Sequence, residues 1–353
     1  MVAAKADCRA VMRCRGAAAA AITAVALLGC GARAEEPGSP RLPATLVLRI
    51  DAVEVEAPSG RAGWDGGAPE SDAGAGCRVL VAGLSIWEPV LSPAAALCRL
   101  ATRPQLERRP EAPDLVVRLG AGADVQYSSW IERDTFSQSL QYEVVVPVSA
   151  VPADGLRLEV LDHDGGGPSE LHELVGGMRL SREALTRAYQ SPSRMLTLSA
   201  GAVRRLQVVV SPYADEAPVR SSRRASDGPV VVGRGVMAGE VVTVRAAGEF
   251  KVGSWYDERI TPSGYPGKEG RSYNLQSFRE EPHACGIAMI GSGSTVEGVA
   301  VGAGRTFVAG HAGSLRVGLN DRDLSNNEGQ VVFDVARRAP TAEEWREGGR
   351  KRP

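Results

Sequence analysis

Apolar and polar residues alternate along most of the chain beyond residue 40. Leu46, Leu48, Ile50 and Ala52 fall on one side, Arg49 and Asp51 on the other. The alternation recurs at Leu156, Leu158 and Val160 against Arg157 and Glu159, and at Leu315, Val317 and Leu319 against Arg316 and Gly318. Valine-rich runs at 144–148, 208–210, 230–232, 241–244 and 331–335 are bounded by Gly, Pro, Asp and Asn. Successive side chains of a strand point to opposite faces, so this pattern predicts short β-strands punctuated by turns. A helical apolar period holds only briefly, best at Ser181–Gln190 and more weakly at Thr341–Arg350. Each strand has one face to bury, which predicts an all-β fold of two antiparallel β-sandwich domains in tandem after a signal peptide.

The N-terminus has a different pattern. Lys5, Arg9, Arg13 and Arg15 precede an apolar run from Ala17 to Leu28 with Thr23 as its one polar residue. A membrane-spanning helix needs about 20 apolar residues, and this shorter run fits a secretory signal over residues 1–30. Two cleavage readings stand. Leu27-Leu28-Gly29-Cys30 resembles a bacterial lipobox, which places a lipid on Cys30. Ala32-Arg33-Ala34 is a small-x-small site for ordinary signal peptidase. The expected location is the outer or inner membrane, as a lipoprotein facing the periplasm or the cell surface, and otherwise the periplasm or the medium. Cys77 and Cys98 then lie in an oxidising compartment, where a disulfide is the natural expectation. Cys285 reads as a buried small hydrophobe.

A change of composition divides the rest. Residues 42–213 form the first domain, with a loop insertion at about 57–112 that includes a Gly-, Ala- and Asp-rich stretch at Gly60–Gly76. The stretch 214–227, which carries Arg220, Arg223 and Arg224 and almost no large apolar residue, reads as a linker. The second domain covers 228–337, and 338–353 is a tail.

Charge narrows the function. Forty-one Lys and Arg face 42 Asp and Glu, a net charge of −1. That balance argues against nucleic acid as a partner, since duplex binding draws its affinity from neutralised phosphates. The four histidines, His163, His172, His283 and His311, belong to no nucleophile elbow, paired-histidine zinc motif or phosphate loop. No acid–base pair is visible, and no enzyme is expected. Oxygen donors do gather in two loops at strand ends, Leu161–Gly167 and Asn320–Gly329. Hard cations such as Ca²⁺ take six to eight oxygen ligands, which Asp, Asn and backbone carbonyls on loops supply. The same residues are also ordinary turn formers.

Residues 42–213 resemble a C2 domain. Asp114-Leu115-Val116-Val117, the run from Arg133-Asp134-Thr135 to Tyr142-Glu143-Val144, Leu158–Asp164 ending in Asp-x-Asp, and Glu173-Leu174-Val175-Gly176 carry the likeness. It implies an eight-stranded antiparallel sandwich with calcium loops at one end, using Asp114, Asp162, Asp164 and Glu173. The family's usual first-loop aspartate is replaced by Arg108 here.

Residues 228–337 resemble the PA-IL-type galactophilic lectins. The likeness rests on Gly239–Gly248, on Cys285-Gly286-Ile287-Ala288-Met289-Ile290-Gly291, and on Gly313–Asp321 followed by Asn326-Asn327-Glu328-Gly329. It implies a calcium site built from the side chains of Asp321, Asn326 and Asn327, the carbonyl of Val252, and a further loop carbonyl from Asp323 or Leu324. The sugar would bind that ion through two hydroxyls. The sugar-touching His and Gln of that family have no secure counterpart here, and Tyr265 is a candidate either to stack on a sugar or to pack at the sandwich end. The sequence therefore leads to a non-catalytic, calcium-dependent envelope protein that recognises a carbohydrate. The alternatives are a structural or interaction protein whose loops calcium rigidifies, and docking of the C2-like domain on an anionic membrane surface.

Overall fold

The first sandwich begins with β1 (Thr45–Val55), whose Leu46, Leu48 and Ile50 sides are buried as the alternation requires. A bulge between Ile50 and Ala52 then shifts the register, so Val53 and Val55 turn inward and the apolar phase changes by one residue. The structure is a computed structural model that describes residues 41–56, 112–122, 125–131, 135–163, 172–253, 257–265, 267, 270–292 and 295–350. Further strands are β2 (Leu115–Gly120), β3 (Gln126–Ser128), β4 (Ser137–Pro147), β5 (Leu156–His163), β6 (His172–Leu180), β7 (Met195–Ala200) and β8 (Val203–Pro212). They form two antiparallel four-stranded sheets, ordered β4-β1-β8-β7 and β3-β2-β5-β6. Between β6 and β7 lies helix α1 (Arg182–Gln190), started by Ser181, whose hydroxyl accepts the Ala184 N–H at 3.2 Å. Leu185 and Ala188 bury its inner stripe.

The second sandwich pairs a sheet of β10 (Val230–Val231), β16 (Ser314–Leu319), β13 (Gly286–Ser292) and β14 (Thr295–Ala300) with a five-stranded one. In the latter, β17 (Glu328–Arg338) lies beside β11 (Val241–Ala247), which pairs with β15 (Gly304–Val308). β12 (Phe250–Lys251) continues the β11 register along the same edge of β17, and the other edge takes β9 (Val219–Arg224). The stretch read as a linker thus carries a strand of this sandwich. It pairs through its backbone from Val219↔Val335 to Arg224↔Gln330. As an edge strand it exposes arginines, and its apolar anchors are Val219 and the buried Ala225.

The tail is also part of the fold. Helix α2 (Ala342–Gly348) leaves the second sandwich and buries Trp345 completely in the core of the first. The Trp345 ring lies 5.0 Å from Tyr127, and the Tyr127 hydroxyl donates to the Trp345 carbonyl at 2.5 Å. Gly239 (φ +79°) lets the indole approach, because a Cβ there would come 2.8 Å from Nε1 and from the Val145 carbonyl.

Around this plug the second sandwich covers β3 and β4, the edge strands on one side of the first. Val145 N–H donates to Ala238 (2.8 Å) and Ala238 N–H to Glu143 (3.0 Å). Met237 packs with Val47 and Val145. Gln126 N–H reaches the Gly349 carbonyl at 2.7 Å. Two edges that would otherwise offer unpaired backbone groups are thereby closed.

Helix α2 starts with a capping box, in which Thr341 accepts the Glu344 N–H and Glu344 accepts the Thr341 N–H. The Arg338 guanidinium and this cap lower the Glu344 pKa from 4.5 to about 2. A depressed carboxylate contributes stability above its ordinary pKa and loses it as pH falls toward the folded value. The prediction is that wild type loses its stability advantage over Glu344→Gln between about pH 4.5 and 2. Melting curves of the two proteins across that range would test it, and a constant gap would refute it.

Candidate metal centre

The end of β16 delivers Asn320 and Asp321 into the site. Asn320 is fully buried and locks β16 to the 270–285 segment. Its Oδ1 accepts the Leu275 N–H at 3.1 Å, and its Nδ2 donates to Phe278 at 3.0 Å and to Pro282 at 3.3 Å. Asn274 fastens the same segment from within, with Nδ2 reaching the Glu281 carbonyl at 2.8 Å and Oδ1 lying 2.9 Å from His283 Nδ1. Burial lowers the His283 pKa against the opposing pull of the Asp321 charge. The carbonyls of this segment are satisfied by amides in place of a ladder, so the segment is ordered without regular strands.

Asp321 itself is 3% exposed. Its Oδ1 accepts the Asp323 N–H at 2.9 Å, and its Oδ2 accepts from Asn327 Nδ2 at 3.0 Å. Asn327, 5% exposed, also points Nδ2 at the Ala225 carbonyl 3.5 Å away. Both contacts need the amide nitrogen, which fixes the orientation of the amide and leaves Oδ1 buried with no hydrogen-bond partner. The β12–β17 pairing ends at Lys251↔Glu328, next in sequence to the buried Val252 and to Asn327. A single 3-10 turn, Leu324–Asn326, closes the loop.

The predicted residues therefore divide. Asp321 and Asn327 come together, and Val252 is buried in the core of the same sandwich. Asp323 and Asn326 are exposed and face each other instead, with Asn326 Nδ2 and Ser325 Oγ donating to the Asp323 carboxylate at 3.3 and 2.6 Å. The Leu324 carbonyl accepts the Asn327 N–H at 3.1 Å. Asp321 forms no ion pair with Lys or Arg among the described residues. A buried carboxylate in no Lys or Arg ion pair among the described residues, beside a buried amide oxygen without a donor, is a donor set that fits a hard cation. Among the described residues no three His, Cys, Asp or Glu side chains group as a metal centre. The oxygens here come from amides and backbone as much as from carboxylates.

At the C2-like end, Asp162 is fully buried and its Oδ1 accepts the Asp114 N–H at 2.8 Å. That contact joins the strands where Leu115 pairs with Asp162. Glu173 stands opposite Asp162 in the β5–β6 ladder and is exposed. Asp164, Cys30, Cys77 and Cys98 lie outside the described residues.

Sequence reasoning does not single out Asn274 and treats His283 only as one of four histidines outside any catalytic motif, because nothing local marks their part in the site. Asn320 was visible only as one of several loop amides. Cys285 is buried, which pushes its thiol pKa up to about 12 and suits packing rather than nucleophilic attack. Tyr265 packs against the second core, its N–H donating to His283 at 2.8 Å.

No family model matches the chain, and no curated protein sequence does. Solved structures with a similar fold include the EclA N-terminal domain, a PllA-like lectin. It is 21% identical over 34% of this chain and 96% of that one, with a TM-score of 0.27. A C2 domain of plant extended synaptotagmin 1 is 8% identical over 49% of this chain and 99% of that one, at 0.26. The calcium-bound tandem C2 domains of extended synaptotagmin 2 are 8% identical over 85% and 99%, at 0.28. These likenesses concern the β-sandwich fold type alone.

Proposed function

We propose that this chain is a non-catalytic, calcium-dependent binding protein of the bacterial envelope that takes a carbohydrate at the loop between β16 and β17. The observation that carries the reading is the buried pair Asp321 and Asn327, a carboxylate in no ion pair with Lys or Arg among the described residues and an amide oxygen lacking a donor. Asp321, Asn327 and the Val252 carbonyl would hold the ion, joined by Asn326 and a carbonyl of Asp323 or Leu324. Bound calcium supplies an oxygen-seeking face that two neighbouring sugar hydroxyls can complete. The chain's own part is to pre-form the site. Asn320 and Asn274 fasten the 270–285 segment beside it, and Asp321 turns the loop through the Asp323 amide.

That last contact also favours a second reading. A carboxylate that already organises its own loop could use calcium only to stiffen it, as in a structural or protein-interaction lipoprotein.

The test is calcium titration of the full chain by calorimetry, with melting curves in calcium and in chelator. At about a hundredfold excess over Kd, a ligand that binds only the folded state adds about 2.7 kcal/mol. The expected result is a calcium-dependent rise in Tm that Asn327→Ala and Asp321→Ala abolish. Glycan-array binding should vanish in chelator and in the same variants. Calcium binding without any glycan signal would favour the stiffening role, and an unchanged wild-type Tm in millimolar calcium would end both readings.

A further inference from the structure

At the junction of the two sandwiches and α2 lies an open cleft of ≈310 Å³. It is bordered by Gln126 and Ser128 of β3, Glu297 of β14, Val308 of β15, His311, and Gly348 of α2. Interfaces between domains are common places for small-ligand sites, and this volume is at the lower end of their range.

Two side chains set its chemistry. Among the described residues the Glu297 carboxylate accepts from backbone amides, Gly310 N–H at 3.0 Å and His311 N–H at 3.1 Å, and forms no ion pair with Lys or Arg. The His311 ring lies on Trp130, with centroids 4.1 Å apart and planes 18° from parallel. Trp130 is pinned by its indole N–H to the Ala312 carbonyl at 2.8 Å. His311 Nδ1 lies 3.1 Å from the Ser128 carbonyl, which can only accept, so Nδ1 carries a proton. In the neutral ring Nε2 is then an acceptor.

The cleft is therefore lined by a carboxylate with spare lone pairs and by an imidazole held in one orientation by Trp130 and the Ser128 carbonyl. Behind it the Tyr127 and Tyr142 hydroxyls are hard to ionise, through burial first and the Glu297 charge among the lesser causes. A neutral polyol would meet the same acceptors and leave the carboxylate unbalanced, so positive charge decides the class.

We propose that this cleft binds a small organic ammonium compound, with Glu297 as its counter-ion and His311 Nε2 accepting one of its N–H groups.

The test is calorimetry on the full chain in chelator, which keeps the calcium loop silent. Ethanolamine is compared with ethylene glycol, and glucosamine with glucose. The expected result is that the amines bind and their neutral counterparts do not, and that Glu297→Gln weakens amine binding by at least about tenfold. His311→Phe, which keeps the stack on Trp130 and loses the acceptor, should weaken it too. Circular dichroism checks the fold of both variants. Should Glu297→Gln fail to fold, the wild-type comparison and His311→Phe decide. Absence of amine binding, equal binding of amines and neutral counterparts, or wild-type affinity in folded Glu297→Gln would each overturn the proposal.

Discussion

Replacing Trp345 with alanine is expected to cost about 3–5 kcal/mol, as for other large aromatic residues removed from a core. The loss should fall on the N-terminal sandwich, although Trp345 belongs to the last helix of the chain. The reason is where the ring sits: fully buried, against Tyr127 and over Gly239, in the first core. Removing it opens a void between sheets whose β3 edge is also held by the Gly349 carbonyl just after α2. Hydrogen exchange should quicken at β2 and β3, and the denaturation midpoint should fall with little change in slope. Ending the chain before Thr341 should have at least the same effect. Trp345→Phe should cost less than half as much, because the indole N–H has no partner and its loss leaves nothing unsatisfied. An alanine variant within about 1 kcal/mol of wild type, against that 3–5, would mean that α2 merely rests on the sandwich.

How much of this was legible depended on whether a feature was local. The alternation at Leu156–Val160 and Leu315–Leu319 was, and those strands bury the expected sides. In β1 the alternation identified the strand but not the bulge after Ile50, which comes from pairing with β4 and β8. Strand β9 looked like a linker because an edge strand is held by backbone bonds, and its apolar anchors, Val219 and Ala225, are too few to form a pattern. The Thr341–Arg350 helix was visible, capping residue included. Its destination was not, since one tryptophan says nothing of which core it enters. In the site, Asp321 and Asn327 were legible as oxygen donors with loop spacing. The support from Asn274, His283 and the Asn320–Leu275 bond was not, because its partners are brought together only by the folded chain. The notable departures, α2 crossing to the other sandwich and the ammonium cleft, both sit at the junction, which no local pattern describes.

The junction also holds the second large expected effect, in a buried charge network. Glu240 is fully buried. Its Oε1 accepts the Tyr213 hydroxyl at 2.8 Å and Arg234 Nη2 at 2.6 Å, and its Oε2 accepts the Met237 N–H at 3.2 Å. Arg234 also lies 3.3 Å from Glu216, which takes Arg337 Nη1 at 3.0 Å, and Arg337 donates to the Val232 carbonyl at 2.6 Å. Removing one partner of a buried pair costs about 3–5 kcal/mol because the other is left uncompensated. The two removals should differ. Glu240→Ala leaves Arg234, whose side chain is 34% exposed and keeps Glu216, whereas Arg234→Ala leaves a carboxylate with no exposure. Arg234→Ala should therefore be the worse, near the upper end of that range. Its deficit should also depend on pH. An unpaired buried carboxyl has a folded pKa above its ordinary value, so its stability is greatest in acid and falls as pH rises through the carboxylate range. The gap between wild type and Arg234→Ala should narrow on acidification, opposite in sense to simple acid denaturation. The double variant should cost less than the two single losses combined, because the second removal deletes the charge that the first stranded. Denaturation of all four proteins at neutral and acid pH measures this. Additivity within about 0.5 kcal/mol would show that Arg234 and Glu240 stabilise the junction independently.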